Sequence, residues 1–304
     1  MKVKVVTDSG ASMTRLEANA LGIDYLPLQV TIDEQTYLDG MNLSTSYLYD
    51  QMEKGAFPQT SLPPMGMVDD LFSEYEKEGI TDVLLITLSK GLSSTNEKVM
   101  LFGQQHNLSM HTLDICSTLG MEKYMAIYAK QMVDEGMDPE QIISRLQESV
   151  DASCGYLIVE DLDHLAKGGR LTPMAAKLAG MLKIKPILKA SKDTAGKVDV
   201  FEKVHTMKKA LKRAVEVIGE DPNVNAEDYL IVLMDSRAKK NADYVEKLLL
   251  EKYPGMQIDR NDLCPVINCH TGMQSIVIQY IKKVKVELNR GMYFMCIKKR
   301  FLVD

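Results

Sequence analysis

The segment DVLLITLS, residues 82–89, constrains the fold more than any other part of the chain. Its apolar side chains follow one another without alternation, so neither face of the segment is suited to water. Such a run predicts a strand buried on both sides, the condition of a parallel sheet with helices packed above and below it. The surrounding sequence supplies the helices. Val3 to Thr7 predicts a strand ending in Asp8-Ser9-Gly10, and Thr14 with Glu17 three positions on has the spacing of a capping box ahead of a short helix. Tyr25 to Ile32 and Gln35 to Leu38 read as two strands around a tight turn. Ser44 to Lys54 predicts a helix stopped by Gly55, and Pro64 to Glu78 one stopped by Gly79. After DVLLITLS come a further helix, the strand HTLDIC, and helices over 121–133 and 139–150. This alternation of strand and helix predicts a doubly wound, mostly parallel α/β unit.

The second half follows a different pattern. GYLIVE predicts a strand, Leu162 to Lys167 a short helix, and Pro173 to Leu182 another helix. PILKA and KVDVFEKV then read as a hairpin around Thr194-Ala195-Gly196. A helix from Met207 to Val217, the strand YLIVLMD, a helix from Ala238 to Leu250 and short strands near Met256 and Pro265 complete an α+β unit with a mixed sheet. With 304 residues and roughly 150 per domain as a guide, the chain is expected to form two domains. They are placed at 1–155 and 156–304.

Composition narrows the class. Apolar residues make up 45% and charged residues 26%, as in packed globular domains. The opening MKVKVVTDSG reads directly as a strand, with no apolar signal core, and no stretch reaches the roughly 18 apolar residues of a membrane span. Five cysteines, Cys116, Cys154, Cys264, Cys269 and Cys296, include no C-x-x-C pair. That usage fits reduced thiols and a cytoplasmic location, without stable membrane insertion. The net charge is −6, yet Lys282 to Arg300 carries seven basic residues against Glu287 alone. A basic tail on an acidic body reads as a solvated edge strand protected by lysines, and no broad basic face with interleaved aromatics marks a nucleic-acid binder.

Candidate chemistry lies where strands end, since open α/β sheets gather ligands at their carboxyl edges. Asp8, Asp114 and Asp235 take such positions, although aspartates there also serve as helix caps. Two loops offer hydroxyls before helices: FPQTSLPP, with Thr60 and Ser61, and LSKGLSST, with Ser93, Ser94 and Thr95. Hydroxyls and free N–H groups at a helix start form an anion site without a fixed positive charge. LAKGGRLTP, residues 165–173, adds a glycine-flanked cation, Arg170, to a third loop. G-x-x-x-x-G-K-[ST], G-x-G-x-x-G and G-x-S-x-G are all absent from the sequence, which argues against a P-loop NTPase, a dinucleotide enzyme and a serine hydrolase. The five histidines show no H-x-x-x-H spacing, and no metal is expected. Twenty methionines and no Trp fit an adaptable apolar interior.

In this order VTDSGASM, QTSLPP, TLSKGLSST, LDHLAKGGRLTPMAAKLAGMLKIKPIL and CHTG resemble the DegV family of fatty-acid-binding proteins, over residues 1 to about 272. The resemblance implies a two-domain α/β protein holding one long-chain fatty acid in an apolar tunnel between its domains, with no other cofactor and no catalysis of its own. It further implies a partner, the kinase subunit of a fatty acid kinase system, which phosphorylates the presented carboxyl group to an acyl phosphate. Matched position by position, Thr60 and Ser93 hold the carboxylate, with Ser61 and Ser94 beside them. Arg170 and His270 match an exposed Arg and His that face the kinase. The chain departs from the pattern at Pro64, usually Ser, and at Ser94, usually Gly. The family's Gly-x-His-x-Gly-Pro-Gly reads here as Asn268-Cys269-His270-Thr271-Gly272-Met273-Gln274. From residue 273 to 304 the tail reads as atypical, its apolar Val284, Val286 and Leu288 suiting a terminal strand or hairpin. Two further readings follow from the residues themselves. One is a small-molecule enzyme using Asp8, Asp114 or Asp235 with Arg170 as electrophile, and the other is a DNA-binding regulator acting through the basic tail.

Overall fold

A computed structural model describes residues 2–181 and 184–285. The chain opens with β1 (Val3–Asp8), α1 (Arg15–Ala20), β2 (Asp24–Leu26), β3 (Gln29–Ile32), β4 (Gln35–Leu38), α2 (Thr45–Glu53) and β5 (Gln59–Ser61). There follow α3 (Met65–Glu78), β6 (Asp82–Ile86), α4 (Thr95–Gln105), β7 (Ser109–Thr112), α5 (Gly120–Asp134) and α6 (Pro139–Asp151). The second half contains β8 (Cys154–Ile158), α7 (Leu162–Lys167), α8 (Pro173–Ala176), β9 (Ile187–Ala190), β10 (Val198–Glu202) and α9 (Met207–Ile218). It continues through β11 (Tyr229–Asp235), α10 (Lys239–Lys252), β12 (Gln257–Asp262), α11 (Pro265–Thr271) and β13 (Ile276–Lys282).

The first sheet has the order β2-β1-β6-β7 and every pairing in it is parallel. Strand β6 is the buried run of DVLLITLS. Val83 and Leu85 join Val68, Phe72, Tyr75 and Val99 from α3 and α4 on one face. Leu84 and Ile86 join Met125 and Ala129 of α5 on the other. Both faces are covered, so the absence of alternation in the sequence is explained by packing. The second sheet is mixed, in the order β10-β9-β8-β13-β11-β12, with only the β11–β12 pair parallel. The same core that fills the underside of the first sheet also takes in Leu230, Val232, Met234, Val277 and Ile281 of the second. Helix α5 therefore lies between the two sheets. Strand β8 begins at Cys154, so the second sheet starts two residues before the boundary expected at 155/156.

Local signals are realised where they depend on neighbours alone. Thr14 and Glu17 form the capping box, each side chain taking the other's backbone N–H. Gly79 ends α3 in the left-handed conformation at φ 68°. The hairpin of β9 and β10 turns through Ala195 and Gly196, both at positive φ.

Several expectations are corrected. Tyr25 to Ile32 is two strands in different sheets, β2 beside β1 and β3 between β4 and β5, because the chain turns at Pro27. The stretch around Thr60, read as loop, pairs with β3 as β5. The strand read at HTLDIC ends at Thr112, beyond which Asp114 turns back to accept the N–H of Cys116. The helix expected over 173–182 stops at Ala176. Gly180, at φ 79°, folds its N–H onto Asp163 of the preceding helix instead. The strand expected near Pro265 is helix α11, with Pro265 in its first turn, where its missing N–H costs nothing. The stretch read as atypical from residue 273 contains a regular strand. Ile276 to Lys282 forms β13, a central strand paired on both sides. Of the expected terminal strand or hairpin, Val284 packs against the first core, and Val286 and Leu288 lie outside the described residues. So does the basic tail beyond Lys285. Lys285 pairs with Asp228 at 2.7 Å, and Lys283 donates to the carbonyl of Ala226 at 3.1 Å.

Candidate functional site

Between the two sheets lies an apolar cavity of about 320 Å³. The first half contributes Leu28, Leu62, Leu88, Leu92 and Leu119, and the second Leu157, Leu165, Val198, Val266 and Val277. Thr60, Ser61, Ser93, Ser94, Arg170 and His270 all line it as well. Six positions spread over more than 200 residues of sequence are thus gathered on one cavity. Ser61 and Ser94 are exposed, whereas Thr60 and Ser93 are partly buried.

Thr60 is presented by β5 and His270 by the last turn of α11. Thr60 Oγ1 lies 2.8 Å from His270 Nε2. The other ring nitrogen, Nδ1, is buried and has no partner among the described residues. Burial, reinforced by the neighbouring Arg170 and His164, lowers the pKa of His270 to about 4, so the ring is neutral near pH 7. A neutral ring carries one N–H. Placing it on Nδ1 would bury an unpaired donor, the costlier defect, so the proton belongs on Nε2 and is donated to Thr60 Oγ1. The hydroxyl proton of Thr60 is then left for an acceptor in the cavity.

Ser93 stands at the start of α4. Its Oγ accepts the N–H of Thr95 at 3.2 Å and pairs with Thr95 Oγ1 at 2.8 Å. Ser94, the N-cap residue, makes no side-chain capping bond. The hydroxyl donors are neutral, and Ser93 and Ser94 stand beside a helix start, which favours negative charge.

The Gly-Gly-Arg turn connects these parts. A Cβ on Gly168 would fall 2.8 Å from His270 Nδ1, so only glycine leaves room for the ring. Gly169 takes φ 74°, a backbone conformation that returns the chain towards the cavity and that L side chains resist. Arg170 then donates from Nη1 to the carbonyl of Gly168 at 2.5 Å and from Nε to that of Leu92 at 3.4 Å. It meets no carboxylate among the described residues. Burial lowers its pKa. Arg170 thus bridges to the loop that carries Ser93. Arg170 and His270, expected to be exposed, are both partly buried in the cavity wall, and His270 bonds directly to a hydroxyl it was expected to stand apart from.

The three aspartates of the enzyme reading do not meet Arg170. Asp8 is fully buried and accepts the N–H groups of Gly10 and Leu88. Asp114 accepts from Cys116 N–H. Asp235 lines a separate cleft and accepts from Ala238 N–H. None of them lines the cavity that holds Arg170. His164 is likewise structural, bonded to the carbonyl of Cys269 at 2.8 Å and packed on Phe57. Among the described residues no group of three or more His, Cys, Asp or Glu side chains is placed to hold a metal, and no helix is long and apolar enough to cross a membrane. Cys116, Cys154, Cys264 and Cys269 are free thiols.

Ser117 and Thr118, in a polar stretch after a strand, and Thr271 of the CHTG motif also line the cavity, and sequence reasoning missed Gln279 beside them. Gln279 is 2% exposed in the otherwise apolar strand IVIQYI, and a glutamine in such a run was the available signal.

Fold and site together define an α/β protein built around an apolar cavity whose wall carries neutral hydroxyls. Residues 2–283 match the model of the DegV family, described as uncharacterised proteins, which extends the likeness past residue 272 through β13. The chain belongs to the DegV family. It is 33% identical to a DegV domain-containing protein of Streptococcus pyogenes serotype M1, over 91% of this chain and 97% of that one. Among solved structures it resembles a fatty acid binding DegV family protein from Streptococcus agalactiae, with a TM-score of 0.85, 31% identity and coverage of 93% and 99%. It also resembles DegV, a fatty acid binding protein from Bacillus subtilis, with a TM-score of 0.82, 30% identity and coverage of 93% and 100%.

Proposed function

We propose that this chain holds one long-chain fatty acid in the cavity, its carboxylate at Thr60 and Ser93 with Ser61 and Ser94 at the mouth, and presents it to a partner fatty acid kinase. The single observation that carries the reading is the pairing of Thr60 with neutral His270 in the wall of an apolar cavity. It leaves a hydroxyl proton aimed at an anion, while the leucines and valines receive a hydrocarbon chain. The two similar structures named as fatty acid binding proteins support the choice of ligand.

In the coupled reaction the carboxylate oxygen attacks the γ-phosphorus of ATP held by the kinase. An acyl oxygen–phosphorus bond forms, the bond to the β-phosphate oxygen breaks, and ADP leaves with its electrons. Neutral donors suit this step because they hold the carboxylate without quenching its nucleophilicity as a tight ion pair would. Arg170 supplies positive charge beside the cavity, where the transferred phosphoryl group has to approach. The chain carries the acid and the kinase carries the chemistry, in a cytoplasmic setting consistent with reduced thiols.

The test is reconstitution. The purified chain loaded with palmitate, a fatty acid kinase subunit and ATP together yield palmitoyl phosphate, and omission of the chain abolishes it. Palmitoyl phosphate formed equally well without the chain would sink the carrier role, and ATP-independent turnover by the chain alone would return it to the enzymes.

A further inference from the structure

The floor of the cavity is the second sheet, and its register places three residues in one row: Ala190 pairs with Gly155, and Gly155 with Gln279. One row along, Leu188 pairs with Leu157, and Leu157 with Val277. Rows on one face are two residues apart, about 7 Å. Helix α11 ends at Thr271 and β13 starts at Ile276, so the Leu157–Val277 row lies nearer His270 along the chain, and the Gly155–Gln279 row lies beyond it.

That far row is both hollow and closed. Glycine and alanine leave space over β8 and β9, whereas Gln279 stands up beside them, clamped by three bonds. Its Nε2 donates to Ser117 Oγ at 3.1 Å and to the carbonyl of Thr118 at 3.0 Å, and its Oε1 accepts the N–H of Met121 at 3.2 Å. Adjoining the row is a second cleft of about 360 Å³, which shares Ser117, Gly155, Tyr156 and Ala190 with the cavity and carries Asp151, Lys189, Lys192 and Asp193. A hydrocarbon end pushed past the row would enter that polar cleft and forfeit the apolar burial that favours its binding.

We propose that the Ala190–Gly155–Gln279 row is the chain-length gauge of this protein: the methyl end of the acid stops over Gly155, against the clamped Gln279. The inference rests on the fatty acid reading above. A Cβ on Gly155 would meet Gln279 Cγ at 3.0 Å and Nε2 at 3.3 Å, so even a small side chain there crowds the gauge, and a larger one fills the space of the terminal methylenes.

The test offers the full chain an equimolar mixture of tetradecanoic, hexadecanoic, octadecanoic and icosanoic acids and measures the retained acids by mass spectrometry after desalting. Gly155→Val and Ala190→Leu each shift retention towards shorter acids, by about fourfold for every methylene that loses its place. Thr60→Ala lowers retention of all four acids without reordering them. If either row variant melts as the natural chain does, retains acid, and keeps the natural ratio of lengths, the gauge is elsewhere and the proposal is overturned. If the natural chain itself retains none of the acids, the fatty acid reading fails and the gauge with it. A variant that does not fold leaves the other to decide, because the two substitutions lie on different strands.

Discussion

Thr60 Oγ1 and His270 Nε2, 210 positions apart in sequence, meet at 2.8 Å across the junction of β5 and α11. The contact gives two weakly informative residue types a joint role: the imidazole donates, and the hydroxyl keeps its own hydrogen free to donate to an acceptor in the cavity. Thr60→Ala removes the terminal donor and His270→Ala the group that orients it. Each is expected to weaken fatty acid retention by about tenfold or more, the value of a hydrogen bond to a charged group. His270→Ala is expected to be the milder of the two, since Thr60 then still reaches the ligand. Competition binding with a fluorescent acid measures both, and equal affinity of the natural chain and Thr60→Ala would contradict the arrangement.

The neutrality of His270 has its own signature. Burial together with Arg170 and His164 holds its pKa at about 4, below the ordinary 6.5. Between those values the unfolded chain binds a proton at this site that the folded chain does not. Stability from this ring is therefore complete above pH 6.5 and is lost as the pH falls towards 4. In an NMR titration the His270 ring resonances are expected to stay unchanged at pH 6.5 and move only near pH 4. A midpoint near 6.5 would mean that the ring is solvated and not committed to Thr60.

Gly168 owes its identity to that same ring. Gly168→Ala places a methyl group 2.8 Å from His270 Nδ1, and relief by ring displacement breaks the bond to Thr60. The expected result is a loss of about 1–3 kcal/mol in stability, as for other overpacked sites, and a fall in retention resembling that of His270→Ala. Gly169→Ala, strained only through its φ of 74°, is expected to cost about 1–2 kcal/mol and to leave the bond intact. Chemical denaturation paired with binding separates the two.

Arg170 donates to main-chain carbonyls and has no carboxylate partner among the described residues. Arg170→Ala is expected to retain fatty acid almost as the natural chain does and to slow acyl phosphate formation with the kinase by about tenfold or more, the scale of a lost charged contact to a phosphoryl group. If retention collapsed while phosphorylation of the acid still bound kept its rate, Arg170 would belong to the carboxylate and not to the phosphate.

Away from the cavity, Asp8 and Glu122 are both fully buried. Glu122 accepts from Thr7 and Thr118 at 3.2 and 3.4 Å. Burial raises Asp8 from 3.8 to about 6, and burial with the charge of Asp8 raises Glu122 well above its ordinary value. The folded chain thus holds protons that the unfolded chain releases, so stability falls as the pH rises from about 4 through 6. Glu122→Gln removes one of the two charges. It is expected to gain stability relative to the natural chain at pH 8 and little at pH 4, read by thermal denaturation at the two pH values. A difference independent of pH would show that the pair is not the source.

Much of this architecture was legible because it depends on near neighbours. The apolar run of β6, the box of Thr14 and Glu17 and the stop at Gly79 are all written within a few residues. The division at Pro27 was not, because partners from β1 on one side and β5 on the other decide which sheet each half joins. Pro265 followed by Gly272 was a readable helix, obscured by apolar residues that also suit a strand. IVIQYI was readable as a buried strand and was overlooked because the motif resemblance ended before it. The hydroxyl loops and Arg170 could be singled out from sequence, but no spacing rule could bring Thr60 to His270, or show that Gly155 faces Gln279. Those relations are set by strand register and by the packing of α11.

The central claim is that the cavity is a fatty acid site, and native mass spectrometry of the protein as purified tests it most directly. A mass excess of one fatty acid per chain is expected, which disappears under denaturing conditions and is diminished in Thr60→Ala. A chain that sprays at its bare mass, and remains bare after incubation with hexadecanoic and octadecanoic acids, would contradict the account.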